Sequence, residues 1–113
     1  VQTCALPIFV LYHIDNKSGK LQKVLEFIAD FAVQDASLNQ SVLSLDKSLI
    51  VTGGDDTIAR VYKLNRDMKS LEGKAIELKG ATMPITGVDI YQNNTQVVAT
   101  SKDANAYVFN LQT

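Results

Sequence analysis

The stretch LIVTGGDDTIARVYKL, residues 49–64, contains the pattern of a strand, a tight turn and a second strand. A near-copy, VVATSKDANAYVFNL, occupies residues 97–111. With Tyr62 placed over Phe109, an offset of 47 residues, the two stretches align without a gap. Apolar and β-branched runs that flank Gly, Asp, Asn and Ser are typical of β-hairpins. The sequence therefore predicts the same hairpin twice.

A third strand ending of the same kind lies upstream, in FVLYHID at residues 9–15, where Tyr12 precedes Tyr62 by 50 residues. Further strand candidates fill the spaces between the three endings: LQKVLEFIA at 21–29, SVLSLD at 41–46, AIELKG at 75–80 and ITGVDIY at 85–91. Four strands per repeat of roughly 40 to 50 residues are typical of β-propeller blades. We predict an all-β propeller fragment of about two four-stranded blades plus a leading strand. The apolar spacing over residues 21–32 leaves a helix there as the alternative.

Composition narrows the class of protein. The chain has 113 residues, 46% of them hydrophobic, which suits one ordinary globular domain. Lys and Arg total 11 against 12 Asp and Glu, and both signs are spread along the chain. Nucleic-acid binding is therefore not expected, because such proteins concentrate basic residues on one face. No apolar run approaches the roughly 18 to 20 residues of a membrane helix.

The first eight residues, VQTCALPI, match the translation of a string that resembles a widely used sequencing adapter. We expect residues 1–8 to be foreign and residues 9–113 to be a partial propeller domain; a native N-terminus is the alternative. Cys4, the one cysteine of the chain, lies within this foreign stretch, so neither a disulfide nor thiol chemistry is expected of the native protein. We also expect the native protein to extend upstream of Phe9.

The hairpins resemble those of WD-repeat proteins. The segment LKGATMPITGVDI at 78–90 looks like the loop before the first strand of a WD blade. Asp56 and Asp103 lie six residues before Tyr62 and Phe109, which is the spacing that this family keeps between its turn aspartate and its tryptophan. A short carboxylate there accepts backbone N–H bonds and holds the turn.

Several residues depart from the WD pattern. Tyr62 and Phe109 replace tryptophan, and Ala81 follows Gly80 where the family has histidine. Of the hydrogen-bonded quartet of regular WD blades, one repeat keeps Thr52, Asp56 and the aromatic position of Tyr62. The resemblance implies that five residues form the turn and blade motif: Thr52, Asp56, Tyr62, Asp103 and Phe109.

The order of VLYHID, VLEFIADFAVQDASLNQSVLSLD and LIVTGGDDTIARVYKL is similar to the start of the prolactin regulatory element-binding protein family, over residues 9 to about 110. Members of that family are guanine nucleotide exchange factors for Sar, the small GTPase that launches COPII coats. The resemblance implies a fragment of an exchange factor that promotes GDP release without covalent catalysis, on the cytosolic face of the endoplasmic reticulum. A non-catalytic WD-repeat scaffold that binds other proteins, located in the cytoplasm, is the alternative.

The resemblance also implies where the residues that act on the GTPase would lie. The family's active loop, which is tied to a potassium ion, precedes the strand matching FVLYHID, so we expect no catalytic residue and no cofactor within this chain. The fragment itself should be inactive as an exchange factor. The loop at 34–41 would lie near the same rim, with Asp35, Asn39 and Gln40 as candidate GTPase contacts; a solvated loop between blades is the alternative. Membrane attachment would come from a C-terminal helix outside this sequence.

Other chemistry has little support in the sequence. His13 is the one histidine and has no nearby Cys or second His for a metal site. The segment TGGDDT lacks the Lys-Ser/Thr ending of a phosphate-binding loop, and a hairpin turn explains its glycines. Asp55 and Asp56 are adjacent, and neighbouring residues on a strand point to opposite faces, so they are not expected to share a substrate. We predict no metal site.

We expect the isolated 113-residue chain to be marginally stable or to aggregate. A complete ring needs roughly three times this length, and an open ring exposes strand edges and apolar blade faces. Thermal unfolding followed by circular dichroism at several protein concentrations measures this property. A cooperative melt of a monomer with a midpoint independent of concentration would contradict the expectation.

Overall fold

The structure, a computed structural model, describes residues 8–14, 17–28, 38–65, 71–91 and 93–111. The described residues form nine strands and no helix. The all-β prediction is confirmed. In chain order the strands are β1 (Ile8–Ile14), β2 (Leu21–Ile28), β3 (Leu38–Leu43), β4 (Leu49–Gly54), β5 (Ala59–Leu64), β6 (Leu71–Leu78), β7 (Ile85–Ile90), β8 (Gln96–Ser101) and β9 (Ala106–Asn110).

The strands group into three antiparallel sheets. β1 and β2 form a hairpin, β3-β4-β5-β6 form a four-stranded sheet, and β7-β8-β9 form a three-stranded sheet. Two four-stranded blades and a leading strand would also contain nine strands. Among the described residues, however, four strands pair with one another only in the sheet β3-β4-β5-β6. The helical alternative for 21–32 is wrong over the described residues 21–28, because β2 pairs with β1 from Leu21 opposite Ile14 to Ile28 opposite Ile8.

The hairpin turns repeat at the offset found in the sequence. Lys47 and Asn94, 47 residues apart, have φ of 64° and 61°. Thr57 and Ala104, also 47 apart, have φ of 72° and 71°. Left-handed backbone at non-glycine residues is uncommon, so the coincidence of two such pairs shows that the four-stranded and three-stranded sheets are built from the same backbone unit.

The main hydrophobic core lies between the four-stranded and three-stranded sheets. Val51 and Val61 from the first sheet and Val97 and Ala99 from the second are at most 1% exposed. Burial of one such valine contributes roughly 1.5–3 kcal/mol. Because side chains alternate along a strand, Tyr62 lies on the opposite face of the four-stranded sheet from Val61. The buried members of the core are Val51, Ala59, Val61, Leu78, Ile85, Val88, Val97 and Ala99.

We predict that Gly53→Ala destabilises the chain by about 1–3 kcal/mol, because a Cβ at Gly53 would collide with the side chain of Ile85 and lie 2.9 Å from Cγ1 of Val88. Urea unfolding measures the change. Gly80→Ala is the matched control, since its Cβ would lie 3.5 Å from Cδ1 of Tyr107, an ordinary contact. Equal destabilisation by both substitutions would show that the close approach at Gly53 does not limit the packing.

Candidate functional site

Asp56 lies in the turn between β4 and β5 and is 4% exposed. Its Oδ1 accepts the N–H of Ile58 at 3.3 Å, and its Oδ2 lies 2.7 Å from Nη1 of Arg60. Arg60, 2% exposed, also reaches Oε2 of Glu77 at 3.3 Å. Removing one partner of a buried ion pair costs roughly 3–5 kcal/mol, because the other charge is left uncompensated. The carboxylate of Asp56 therefore fixes the turn and ties it to β5.

Asp103 occupies the equivalent turn, between β8 and β9. Its Oδ1 accepts the N–H of Asn105 at 3.0 Å, as Asp56 accepts from its own turn. Its Oδ2 accepts the hydroxyl of Tyr107 at 2.6 Å and both the N–H and the hydroxyl of Thr82, at 3.0 and 3.2 Å. Tyr107 stands four residues after the aspartate, where the other turn has Arg60. The same carboxylate position thus binds a cation in one sheet and a phenol in the next.

The hydrogen bonds around Asp103 change the pKa of its carboxyl group and the pKa of the Tyr107 hydroxyl. The bond from the Tyr107 hydroxyl, followed by the bond from the backbone of Thr82, lowers the pKa of Asp103 from 3.8 to about 2. The bond to Asp103 in turn raises the pKa of Tyr107 above its ordinary 10.0. A carboxyl whose pKa is depressed in the folded state stabilises that state above its unfolded pKa, and the stabilisation is lost as pH falls from 3.8 towards 2.

Asn39 and Gln40, predicted to lie in a loop, lie in β3 and hold the two larger sheets together. Asn39 Nδ2 donates to the carbonyl of Ile85 at 2.8 Å and to Oδ1 of Asp55 at 2.9 Å. Gln40 Oε1 accepts the N–H of Val88 at 2.6 Å. The loop predicted over 34–41 is wrong for 38–41, because these residues belong to β3, which pairs with β4 on both sides of an irregularity at Asn39.

The third candidate contact, Asp35, lies outside the described residues. Contact of Asp35, Asn39 or Gln40 with a GTPase stays a prediction. Asp55 and Asp56 are adjacent in the turn after β4 rather than on a strand, and the first is exposed while the second is buried.

A second link between the sheets was missed in the sequence. Asp46, in the β3–β4 turn, accepts bonds from the hydroxyls of Ser48 and Ser44, at 2.7 and 2.8 Å, and from Nδ2 of Asn94 in the β7–β8 turn at 2.9 Å. These bonds, that from Ser48 first, hold the pKa of Asp46 well below its usual value. The alignment at an offset of 47 residues places Asn93 at the position of Asp46 and so indicates the shared turn, but it gives no signal for the bond from Asn94.

The other three residues of the turn and blade motif, Thr52, Tyr62 and Phe109, lie in β4, β5 and β9. Thr52 is 1% exposed in β4. Tyr62 packs with Ile50 and Leu64 on the face of its sheet that is turned away from the three-stranded sheet. Phe109 packs against the main core, on the face of its own sheet that is turned towards the preceding sheet, and stacks on Tyr107 with ring centroids 6.4 Å apart. Tyr62 thus faces away from the sheet that follows its own, and Phe109 faces the sheet that precedes its own.

The described residues contain no group of three or more His, Cys, Asp or Glu side chains placed to hold a metal ion. His13 lies in β1. Within the described ranges no helix is long and apolar enough to cross a membrane. Two shallow cavities of about 210 and 160 Å³ lie side by side on the three-stranded sheet and share Asp89 and Val98. They lack a cluster of titratable side chains.

Comparison with known proteins identifies the fold. No protein-family model matches the chain, and no curated protein matches its sequence. The structure is similar to that of the C-terminal WD40 domain of Sif2, with a TM-score of 0.68 and 20% sequence identity. The match covers 92% of this chain and 28% of that chain, so the chain spans little more than a quarter of the WD40 structure.

At this identity the likeness shows the fold alone. The chain has the architecture of a WD40 β-propeller fragment, and the WD-repeat part of the sequence prediction is confirmed. The comparison gives no support to the prolactin regulatory element-binding protein family in particular.

We predict that Tyr107→Phe raises the pKa of Asp103 from about 2 towards 3.8, because the substitution removes the hydroxyl bond that contributes most to the shift. Titration of the Asp103 carboxyl carbon by NMR measures the change. Tyr91→Phe, at a 60% exposed tyrosine, is the matched control and should leave Asp103 unchanged. An unaltered Asp103 titration in Tyr107→Phe would contradict the assigned cause.

Proposed function

We propose that the chain is part of a WD-repeat scaffold that binds other proteins and carries out no covalent chemistry. The observation that carries the proposal is that polar side chains of the turns and of β3 bind other parts of the two larger sheets. Asp56 binds Arg60, Asp103 binds Tyr107 and Thr82, and Gln40 binds β7. Each holds the frame together, and a rigid frame that presents loops is what a protein-binding platform requires.

The binding surface that we propose lies at one end of the sheets. It consists of the β4–β5 turn, the β8–β9 turn and the loop over 79–84. Met83, 44% exposed, lies in that loop, and Lys79, Lys102 and Asp55 are exposed at the same end of the sheets. An apolar centre with a charged rim is the usual composition of a protein–protein interface, and methionine is enriched in such centres.

The experiment compares proteins captured by three forms of the chain from an extract. Met83→Glu places a charge at the centre of the proposed surface. Leu45→Glu is the matched control, because Leu45 is 76% exposed in the β3–β4 turn at the opposite end of the strands. We expect a discrete set of proteins to bind the wild-type chain and Leu45→Glu and to be lost from Met83→Glu, with equal melting midpoints. Retention of the set by Met83→Glu, or its capture by heat-unfolded chain, would contradict the proposal.

A second candidate function is guanine nucleotide exchange on a Sar-type GTPase at the cytosolic face of the endoplasmic reticulum. It rests on the sequence resemblance over residues 9 to about 110. In this reading Asp35, Asn39 and Gln40 contact the GTPase, a potassium ion belongs to the family's upstream loop, and a C-terminal helix supplies membrane attachment. Two of the three contacts already bind β7. Substitution of Asn39 or Gln40 would therefore affect stability as well as exchange.

The two candidates differ in one measurement. A protein that contains the region upstream of Phe9 is mixed with a Sar-type GTPase loaded with fluorescent GDP. Acceleration of GDP release supports exchange, and an unchanged rate with retained partner capture supports the scaffold. The 113-residue chain alone should leave the rate unchanged in both cases.

A further inference from the structure

Thr82 fastens the loop over 79–84, which we call the Met83 loop, to the β8–β9 turn. Its N–H and its hydroxyl both donate to Oδ2 of Asp103, at 3.0 and 3.2 Å. The same oxygen accepts the hydroxyl of Tyr107 at 2.6 Å. Three donors thus meet on one carboxylate oxygen, whose charge strengthens each bond, and two of the three donors belong to Thr82.

The two residues after Thr82 are bonded to the same part of the three-stranded sheet. The carbonyl of Met83 accepts the hydroxyl of Ser101 at 3.0 Å. The carbonyl of Pro84 accepts the N–H of Lys102, also at 3.0 Å. The loop itself belongs to no strand, so these bonds and those of Thr82 fix the place of Met83 in the proposed binding surface.

The hydroxyl of Thr82 also has features that a protein kinase recognises. Thr82 is exposed and lies outside the strands. Lys79, three positions before it, has a side chain that is 69% exposed and a 3.6 Å ion pair with Glu77 that contributes little at the surface. Of the serines and threonines in the whole sequence, Thr82 alone has Lys or Arg three positions before it. Many protein kinases select their acceptor by a basic residue at this distance.

We propose that Thr82 is a phosphorylation site and that its phosphoryl group releases the Met83 loop from the β8–β9 turn. A protein kinase transfers the γ-phosphoryl group of ATP to Oγ1 of Thr82. The bond from phosphorus to the bridging oxygen of ADP breaks, the bond to Oγ1 forms, and the hydroxyl proton passes to the catalytic aspartate of the kinase. The consequence for binding rests on the scaffold function proposed above, because the Met83 loop is part of the proposed surface.

The phosphoryl group does not replace the bond that it removes. It carries a charge of roughly −1.5 to −2 at pH 7 and adds three strong acceptor oxygens. Oγ1 of Thr82 lies 3.2 Å from Oδ2 of Asp103, so like charges would meet where a donor and an acceptor meet in the unmodified chain. Movement of the loop away from Asp103 relieves this repulsion and breaks the bond from the N–H of Thr82 to the same oxygen. Met83 moves with the loop.

The experiment compares the chain with a form made by chemical synthesis that carries phosphothreonine at position 82. Hydrogen exchange of single amides, followed by NMR, measures the attachment of the loop. The N–H of Lys102, bonded to Pro84 in the loop, should exchange at least about tenfold faster in the phosphorylated form. The N–H of Tyr91, bonded to Gln96 at the opposite end of the same sheet, is the matched control and should exchange at an unchanged rate.

A second measurement tests whether a kinase reaches Thr82. The chain is incubated with magnesium ATP and a protein kinase that requires a basic residue three positions before its acceptor, and mass spectrometry locates the phosphate. Thr82 should be modified at least about tenfold faster in the wild-type chain than in Lys79→Gln. Thr86, which is exposed and has Met83 three positions before it, is the matched control and should stay unmodified.

Capture from an extract then links the phosphate to binding. The set of proteins held by the wild-type chain should be lost from the phosphothreonine form. Thr82→Val has no oxygen to accept the phosphoryl group, so its captured set should be the same before and after treatment with the kinase.

An unchanged exchange rate at Lys102 would overturn the proposal, because the loop would then stay attached. Equal acceleration at Tyr91 would also overturn it, because the phosphate would then unfold the sheet. So would equal modification of Thr82 in the wild-type chain and in Lys79→Gln. If the unmodified chain captures no protein, the scaffold function fails, and the exchange rate of Lys102 still decides whether the phosphate releases the loop.

Discussion

Gly53 allows the four-stranded and three-stranded sheets to approach until Ile85 and Val88 occupy the space in which a side chain would otherwise stand. The polar contacts between these sheets also require their backbones to lie close together. Gln40 can reach the backbone of β7, and Asn94 can reach Asp46, because the backbones are already close. Apolar packing supplies the attraction, and the polar bonds at the two ends of the strands fix the relative position of the sheets.

The two turn aspartates show how a repeat tolerates substitution. Asp56 and Asp103 occupy the same backbone position, and each accepts an N–H from the residue two positions later. The remaining oxygen is satisfied by Arg60 in one sheet and by Tyr107 and Thr82 in the other. A buried or half-buried carboxylate must bind a cation or accept hydrogen bonds. Arg60 meets this requirement in one turn, and Tyr107 and Thr82 meet it in the other. Loss of the WD signature residues is therefore compatible with retention of the fold.

This use of polar groups limits the kinds of function that the described residues can support. The carboxylates and amides that resemble site residues in the sequence are engaged in holding turns and sheets together. Met83, 44% exposed, lies at the end of the sheets where the β4–β5 and β8–β9 turns are found. This end is the surface through which the scaffold that we propose would bind other proteins.

The sequence alone determined the strand order and the repeat, because hydrophobic alternation and turn residues are local signals, and the offset of 47 is visible without a structure. It placed Asp56 and Asp103 in equivalent turns for the same reason. The tertiary structure decided that Asn39 and Gln40 join two sheets, since their partners lie 46 and 48 residues away and no local pattern encodes the pairing.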